Sequence, residues 1–421
     1  MPKLTMTNSA TATAGPAMYT GNPAQPSPAA TRTKRIGSID LLRGIVMIVM
    51  VLDHVRDYFH GSAYLYTPTD LEHTSVPIFF TRWITHFCAP VFVFLAGVSA
   101  YLYGAKRTRA ELSFFLFTRG LWLVLAELFI VTLGWTFNPF YAIYILQVIW
   151  ATGICMIVLS AMVYLDKRVI LLAGVLLVAA HNLLDGIHVP GTGPASVAWS
   201  FLHEQGFFSY GHLAFFMGYP ILPWIGLMLL GYCLGDLYTP AYDERKRKKT
   251  LLALGFGAIA LFILLRSGNF YGDAAHWSTQ KNGIYSLMSF LNTSKYPPSL
   301  LYVLMTLGPS LIFLALAEKP LNAVTSRISV FGRVPFFFYL AHIALVHGLA
   351  VIGAVIDHHK WSDMVVSTWV TGSPGLKGYG FNLLTVYIIW VGVILILYPF
   401  CRAYDRYKRA NQATKKWLSY L

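Results

Sequence analysis

A membrane-length apolar stretch at residues 38–57 carries ionisable side chains suited to acid–base chemistry. Arg43 and His54 lie eleven positions apart. On a helix this spacing separates them by about 16 Å along the axis and places both on nearly the same face. Charged groups inside hydrocarbon are costly, so they usually face a protein interior or a water-filled cavity and mark a path for substrate or protons. The spacing therefore predicts a lining face with a cation at one end and an imidazole at the other.

His54 is the candidate general base, because an imidazole changes charge near neutral pH. A neighbouring carboxylate can hold such a ring in one tautomer. Asp57, four residues further on, is the better placed partner on helix geometry, and Asp53 is kept among the catalytic candidates. In the alternative interpretation His54 is a hydrogen-bonded core residue, and Arg56 and Asp57 are interfacial charges near a helix end.

The next apolar stretch offers a second ionisable pair, Arg82 and His86, which lie four residues apart and share a helix face. On an antiparallel neighbouring helix, His86 reaches a depth similar to that of His54. The two histidines then form a candidate acid–base pair, with Arg82 as a substrate-binding candidate. Bridging between helices is the alternative role for Arg82 and His86. Pro90 predicts a kink that frees backbone groups.

Two further candidates lie far along the chain. His342 and His347 are five residues apart, so at most one of them should reach a shared site, and His342 is preferred. Trp277 lies in a long loop rich in aromatic residues, where an indole ring could stack on a sugar. His342 and Trp277 are therefore substrate-binding candidates.

The composition indicates a polytopic membrane protein. Of 421 residues, 56% are hydrophobic and only 12% are charged, with a mean hydropathy of +0.56. So few charges do not cover a soluble protein of this size. One bilayer crossing needs roughly 20 apolar residues. We predict an all-α fold with ten crossings, at 39–59, 77–104, 112–134, 141–164, 168–186, 219–238, 250–266, 298–317, 330–356 and 382–401.

The basic residues report membrane topology and give no support to nucleic-acid binding. The formal net charge is +14, yet Lys and Arg gather in every second loop, as the positive-inside rule requires. Both termini are therefore expected to be cytoplasmic, with Arg43 near the cytoplasmic end of the first span. The outward loops are poor in basic residues, with four exceptions: Lys281, Lys295, Lys360 and Lys377.

The two ends of the chain differ in composition from its centre. Residues 1–34 are rich in Ala, Thr, Ser and Pro and predict a disordered cytoplasmic tail. Residues 35–404 are expected to form one transmembrane domain, and 405–421 a basic cytoplasmic tail. The sequence contains no CxxC, HExxH, Walker or GxGxxG pattern, so it predicts no metal site and no nucleotide site.

Several motifs of this chain occur together in one known family. They are Asp40-x-x-Arg43-Gly44, the segment 89–97, Pro223-Trp224-Ile225-Gly226, Leu230-Gly231-Tyr232, Ser289-Phe290-Leu291-Asn292 and Lys295-Tyr296-Pro297-Pro298-Ser299. Together they resemble the heparan-alpha-glucosaminide N-acetyltransferase-like family, in its bacterial branch, over roughly residues 35–400. The spacing from Arg43 to His54 also resembles the first-helix motif of the wider membrane acyltransferase superfamily, where that histidine is held to be catalytic. The chain lacks the His-x-x-Trp-Asn-Gly loop of the lysosomal members, which strengthens the case for His54.

This resemblance implies an acyltransferase that works across a bilayer, in a bacterial inner membrane. Its donor is acetyl-CoA or another acyl-CoA on the cytoplasmic side, and its acceptor is a hydroxyl or amine of an outward-facing sugar or glycan. Arg43, with Asp40, is the candidate binder of the coenzyme A phosphates. His54 either deprotonates the acceptor or accepts the acyl group itself. The oligomeric state stays open, with a homodimer as one option.

A second hypothesis belongs to a different functional class. The chain could be a proton-coupled transporter or exporter without acyl-transfer activity, in which His54, His86 and Glu127 form a proton relay. Transporters often contain internal repeats with matching broken helices, and no convincing repeat relates the two halves of this sequence.

Overall fold

The computed structural model describes residues 36–412 and 414–419, and this part of the chain is mostly helical, as predicted. The helices up to residue 234 are α1 (Gly37–Phe59), α2 (Val76–Thr85), α3 (Cys88–Gly104), α4 (Arg109–Ala126), α5 (Thr132–Thr136), α6 (Val148–Met162), α7 (Lys167–Ala179), α8 (Pro194–Leu202) and α9 (Leu222–Leu234). The later helices are α10 (Glu244–Ser267), α11 (Gly283–Leu291), α12 (Leu300–Leu316), α13 (Ala323–Arg333), α14 (Pro335–Ile356) and α15 (Leu383–Asn411). The predicted tail 1–34 lies outside the described residues, and the predicted boundary at 404 falls inside α15.

Five helical segments of the described chain are long and apolar enough to cross a membrane. They are Val76–Gly104, Arg109–Thr136, Glu244–Ser267, Pro335–Ile356 and Leu383–Asn411. The helix α1 has 23 residues but carries several charges, and α6, α9 and α12 are apolar but shorter. The protein is therefore an integral membrane protein, while ten crossings and cytoplasmic termini remain predictions.

A small sheet departs from the all-α expectation. Its strands β1 (Ile143–Leu146), β2 (Gly206–Tyr210) and β3 (Leu213–Met217) are arranged in the order β1-β3-β2. β3 pairs parallel with β1 and antiparallel with β2. The predicted fourth span was wrong in starting at 141, because 143–146 form a strand. A short apolar run cannot be assigned to helix or strand by periodicity alone.

The junction between α2 and α3 contains the freed backbone group that was predicted at Pro90. Proline has no N–H, so the carbonyl oxygen of His86, four residues earlier, loses its helical partner. The hydroxyl of Tyr302 on α12 donates to that oxygen over 2.7 Å. Regular helix is interrupted at His86 and Phe87, between the end of α2 and the start of α3, although both residues keep helical backbone angles. The freed backbone group is thus satisfied inside the protein, as a membrane environment demands.

Close packing against α13 fixes the position of α1. A Cβ atom on Gly44 would overlap the carbonyl oxygen of Ile328, and one on Gly332 would overlap the carbonyl oxygen of Asp40. These two glycines let the backbones of α1 and α13 meet directly, a common device in membrane helices. From the other side, the indole N–H of Trp390 on α15 donates to the carbonyl oxygen of Ile48 over 2.8 Å. α1 is therefore held in a defined place.

Candidate active site

A cavity of about 760 Å³ lies beside α1 between Val46 and Asp57. The eleven helical steps from Val46 to Asp57 give this wall a length of about 16 Å. The volume is in the range of small-molecule sites, about 300–1,000 Å³. Four of the catalytic and substrate-binding candidates line the cavity: Asp53, His54, Arg82 and His86.

The wall that α1 contributes changes character along the helix. Its first part presents apolar side chains, Val46, Met47 and Met50, to the cavity. Its second part presents ionisable side chains: Asp53, His54, Arg56 and Asp57. The loop segments 63–69, 292–296 and 369–371 also contribute to the lining, the first of them following α1 directly. The cavity thus combines an apolar stretch with a polar one.

His54 shares a hydrogen bond with a histidine of α14. Nδ1 of His54 lies 2.7 Å from Nε2 of His342, and Nδ1 of His342 lies 2.9 Å from the carbonyl oxygen of Phe338. A carbonyl oxygen only accepts, so Nδ1 of His342 carries a proton and Nε2 of neutral His342 is an acceptor. Nδ1 of His54 therefore donates to His342, and the lone pair of His54 lies on Nε2.

Of the two paired imidazole rings, the ring of His54 is partly exposed, and its Nε2 is not used in the pair. His342 is fully buried, whereas His54 lines the cavity and keeps some exposed surface. The ring of Trp135 packs edge-on against His54 with centroids 4.8 Å apart, and Tyr339 does so at 6.2 Å. Within the described residues, no side chain forms a hydrogen bond with Nε2 of His54. That nitrogen is available to a bound molecule.

The carboxylates near His54 pair with arginines. Asp53 forms an ion pair with Arg82, and its Oδ1 lies 2.9 Å from Nη2 of Arg56. The same Nη2 lies 2.6 Å from Oδ1 of Asp57. The expectation that Asp57 partners His54 was wrong, because Arg56 engages Asp57 and His342 engages His54. Over the described ranges, no three His, Cys, Asp or Glu side chains are grouped to hold a metal ion.

His86 lines the same cavity but forms no hydrogen bond with His54. Its side chain is buried, and its ring packs edge-on against Tyr302 with centroids 5.4 Å apart. Its Nδ1 has no partner in the described part of the protein. The predicted pairing of His54 with His86 is thus replaced by the pairing of His54 with His342. His86 stays on the wall as a second imidazole.

Arg43 and Asp40 lie outside the cavity lining, three and six residues before Val46. Nη2 of Arg43 donates to the hydroxyl of Ser99 over 2.8 Å, and Nη1 donates to the carbonyl oxygen of Gly332 over 3.2 Å. Oδ1 of Asp40 lies 3.7 Å from Nη1 of Arg43. These contacts tie α1 to α3 and α13 at the apolar end of the cavity.

Trp277 also lies away from the cavity lining. Its backbone N–H and carbonyl both bond the side chain of Asn269, at 3.1 and 3.0 Å, and its ring packs on Phe290. Two other indoles, Trp135 and Trp369, line the cavity instead, with ring centroids 5.0 Å apart. Sequence composition gave no means of choosing among eleven tryptophans.

The loop 292–296 was missed as part of the site, although its sequence belongs to a motif noted above. Two buried charges hold it. Arg266, 1% exposed, donates to the carbonyl oxygens of four residues, Ala275, Ser289, Phe290 and Asn292. Asp273 accepts from the backbone N–H and the hydroxyl of Ser294, both at 2.8 Å, and from Ser299 at 2.6 Å. Lys295 could have indicated this loop, because it is a basic residue in a predicted outward loop, where the positive-inside rule expects few.

A comparison with known protein families shows which family the chain belongs to. The family model for heparan-alpha-glucosaminide N-acetyltransferase, catalytic, matches residues 35–267, more than half of the sequence. The chain belongs to this family. Among curated proteins, none matches it at a significant level. The matched residues run from α1 to α10 and contain Asp53, His54, Arg82 and His86, whereas His342 and Lys295 follow the matched region. Family membership implies a membrane acyltransferase.

Proposed function

We propose that the protein transfers an acyl group, in the first instance acetyl, from cytoplasmic acyl-CoA to a hydroxyl or amine of an outward-facing sugar or glycan. The observation that carries this proposal is the hydrogen-bond chain from Phe338 through His342 to His54. That chain leaves a basic nitrogen facing a cavity large enough for a small substrate. A bacterial inner membrane, with acyl-CoA on one face and glycans on the other, is the proposed location.

In the proposed reaction His54 acts on the proton of the acceptor. Nε2 of His54 takes the proton of the acceptor O–H or N–H as the acceptor attacks the thioester carbonyl carbon. The new C–O or C–N bond forms and the C–S bond breaks. His54 then returns its proton to the thiolate sulfur, which leaves free coenzyme A. Throughout, Nδ1–H of His54 stays bonded to His342, which holds the ring in one tautomer. The same geometry permits an acyl-histidine intermediate, because Nε2 is also the nucleophilic nitrogen.

The two parts of the cavity wall suit the two substrates. The acyl-pantetheine arm enters along the apolar stretch formed by Val46, Met47 and Met50, from the end where Arg43 lies. The acceptor sugar enters from the loop side, where the partly exposed indole of Trp369 lines the cavity, backed by the buried ring of Trp135. The substrates then meet at His54. We retain Arg43 as a residue near the incoming coenzyme A, now with a structural role in joining α1, α3 and α13.

Reconstituted vesicles test this function against transport. We expect acetyl-CoA on one side of the membrane and a sugar acceptor on the other to release free coenzyme A only when both are present. Thiol titration measures the coenzyme A, and mass spectrometry detects the acetylated sugar. Movement of a solute across the vesicle membrane without any coenzyme A release would instead favour the proton-coupled transporter.

His342 is expected to act as a positioning residue for His54. Replacing His342 with leucine removes the acceptor for Nδ1–H of His54, so kcat should fall about tenfold to a hundredfold with little change in the KM for acetyl-CoA. His342→Gln should recover part of kcat, because its amide oxygen can accept the same hydrogen bond. Steady-state kinetics of the two purified variants provide the measurement. Equal kcat values for both would contradict a role in orienting His54.

A further inference from the structure

The cavity wall carries more positive than negative charge. Its described ionised residues are two carboxylates, Asp53 and Asp57, and three cations, Arg56, Arg82 and Lys295. The carboxylates are both engaged by the arginines, since Asp53 pairs with Arg82 and Arg56, and Asp57 pairs with Arg56. Lys295 forms no ion pair in the described part of the chain. The excess positive charge is therefore assigned to Lys295.

Lys295 is held in place but forms no ion pair with a described carboxylate. Its Nζ lies 5.0 Å from the ring centroid of Tyr296, and the residue is half-buried. Asp273, the carboxylate of the same loop system, is occupied by Ser294, Ser299 and the N–H of Ala275. Partial burial of an ammonium without an ion-pair partner is costly, and an anionic ligand would offset that cost.

Tyr296, the residue after Lys295, lies in the same positive electrostatic potential. Burial by itself raises the pKa of Tyr296, but the positive charges of Lys295 and Arg82, with hydrogen bonds from the side chains of Lys295 and Tyr219, hold this pKa below its usual value. The charges of Lys295 and Arg82 thus favour negative charge beside them. The same potential attracts the negative charge of a bound ligand.

We propose that Lys295 binds a carboxylate or phosphate group of the acceptor, so that the acceptor is an acidic sugar. This inference rests on the proposed acyl transfer and narrows its substrate class. Because the loop 292–296 is anchored by Arg266 and Asp273, the ammonium needs little reorganisation on binding. Its place on a predicted outward loop, among the few basic residues there, puts it on the side from which the acceptor arrives.

Paired sugars test the preference with the full-length protein in detergent. Glucosamine 6-phosphate is compared with glucosamine, and galacturonic acid with galactose, by coenzyme A release in the presence of acetyl-CoA. We expect at least one acidic sugar to have a KM at least about tenfold below that of its neutral partner. The Lys295→Met variant should lose this ratio and Lys295→Arg should keep it. The phosphate and carboxylate pairs identify which anion is recognised.

A matched lysine serves as the control. Lys281 lies on the same predicted outward loop, with its Nζ 3.7 Å from the ring centroid of Tyr285, and it does not line the cavity. Lys281→Met should therefore retain the acidic-to-neutral ratio. Quenching of tryptophan fluorescence by the same four sugars measures binding without turnover, because Trp135 and Trp369 line the cavity.

The outcomes separate this inference from the proposed function. If neither acidic sugar binds more tightly than its neutral partner, the role of Lys295 is overturned, and any coenzyme A release still supports acyl transfer. If acidic sugars bind in a Lys295-dependent manner but no sugar releases coenzyme A, the anion site stands and the proposed transfer to these sugars fails.

Discussion

Replacing His54 with alanine is expected to lower the rate of acyl transfer by about 10²–10⁴-fold, the usual contribution of a positioned acid–base group. The substitution removes the nitrogen that faces the cavity and leaves the buried His342 without its partner. Coenzyme A release from acetyl-CoA, with and without acceptor, measures the effect. The protein should still elute as a folded species in detergent, because His54 is only partly buried.

The control for this experiment is a histidine in the loop that follows α1. His73 is largely exposed, with 61% of its side chain accessible, and its Nδ1 lies 2.7 Å from Oδ2 of Asp70. His73→Ala should leave the transfer rate near that of the unchanged protein. Full activity in His54→Ala would remove His54 from the mechanism and direct attention to His86, the other imidazole on the cavity wall.

Replacing Asp53 with alanine is expected to lower the free energy of unfolding by about 3–5 kcal/mol, the usual effect of breaking a buried ion pair. Asp53 is the carboxylate shared by Arg56 and Arg82, and all three side chains are nearly buried. Without it, Arg82 loses its ion-pair partner and Arg56 keeps only Asp57. Denaturant unfolding in detergent, followed by tryptophan fluorescence, gives the measurement.

A second substitution tests the physical cause of that loss. In Asp53→Ala combined with Arg82→Leu, the unpaired cation is gone, so part of the lost stability should return. Asp70→Ala is the matched control, because Asp70 pairs with His73 at the surface and should leave the unfolding midpoint unchanged. A stability of the double variant no higher than that of Asp53→Ala would show that the charge on Arg82 is not the cause.

The extent of helix was predictable from local sequence. Long apolar runs led to helices, and Pro90 led to the freed carbonyl of His86, because both depend on residues within a few turns of each other. The strand at Ile143–Leu146 was not predictable in this way. It depends on pairing with Leu213–Met217, about 70 residues later along the chain, and no local periodicity reveals such a partner.

The sequence alone determined that Arg43 and His54 share one helix of an apolar protein, since helical periodicity and hydropathy are properties of neighbouring residues. It also identified His54, Asp53, Arg82 and His86, all of which line one cavity. Only the tertiary structure decided that His54 bonds His342, 288 positions later, and that Lys295 joins the same wall. Such partners are set by how distant helices and loops pack together, and a single sequence does not record that packing.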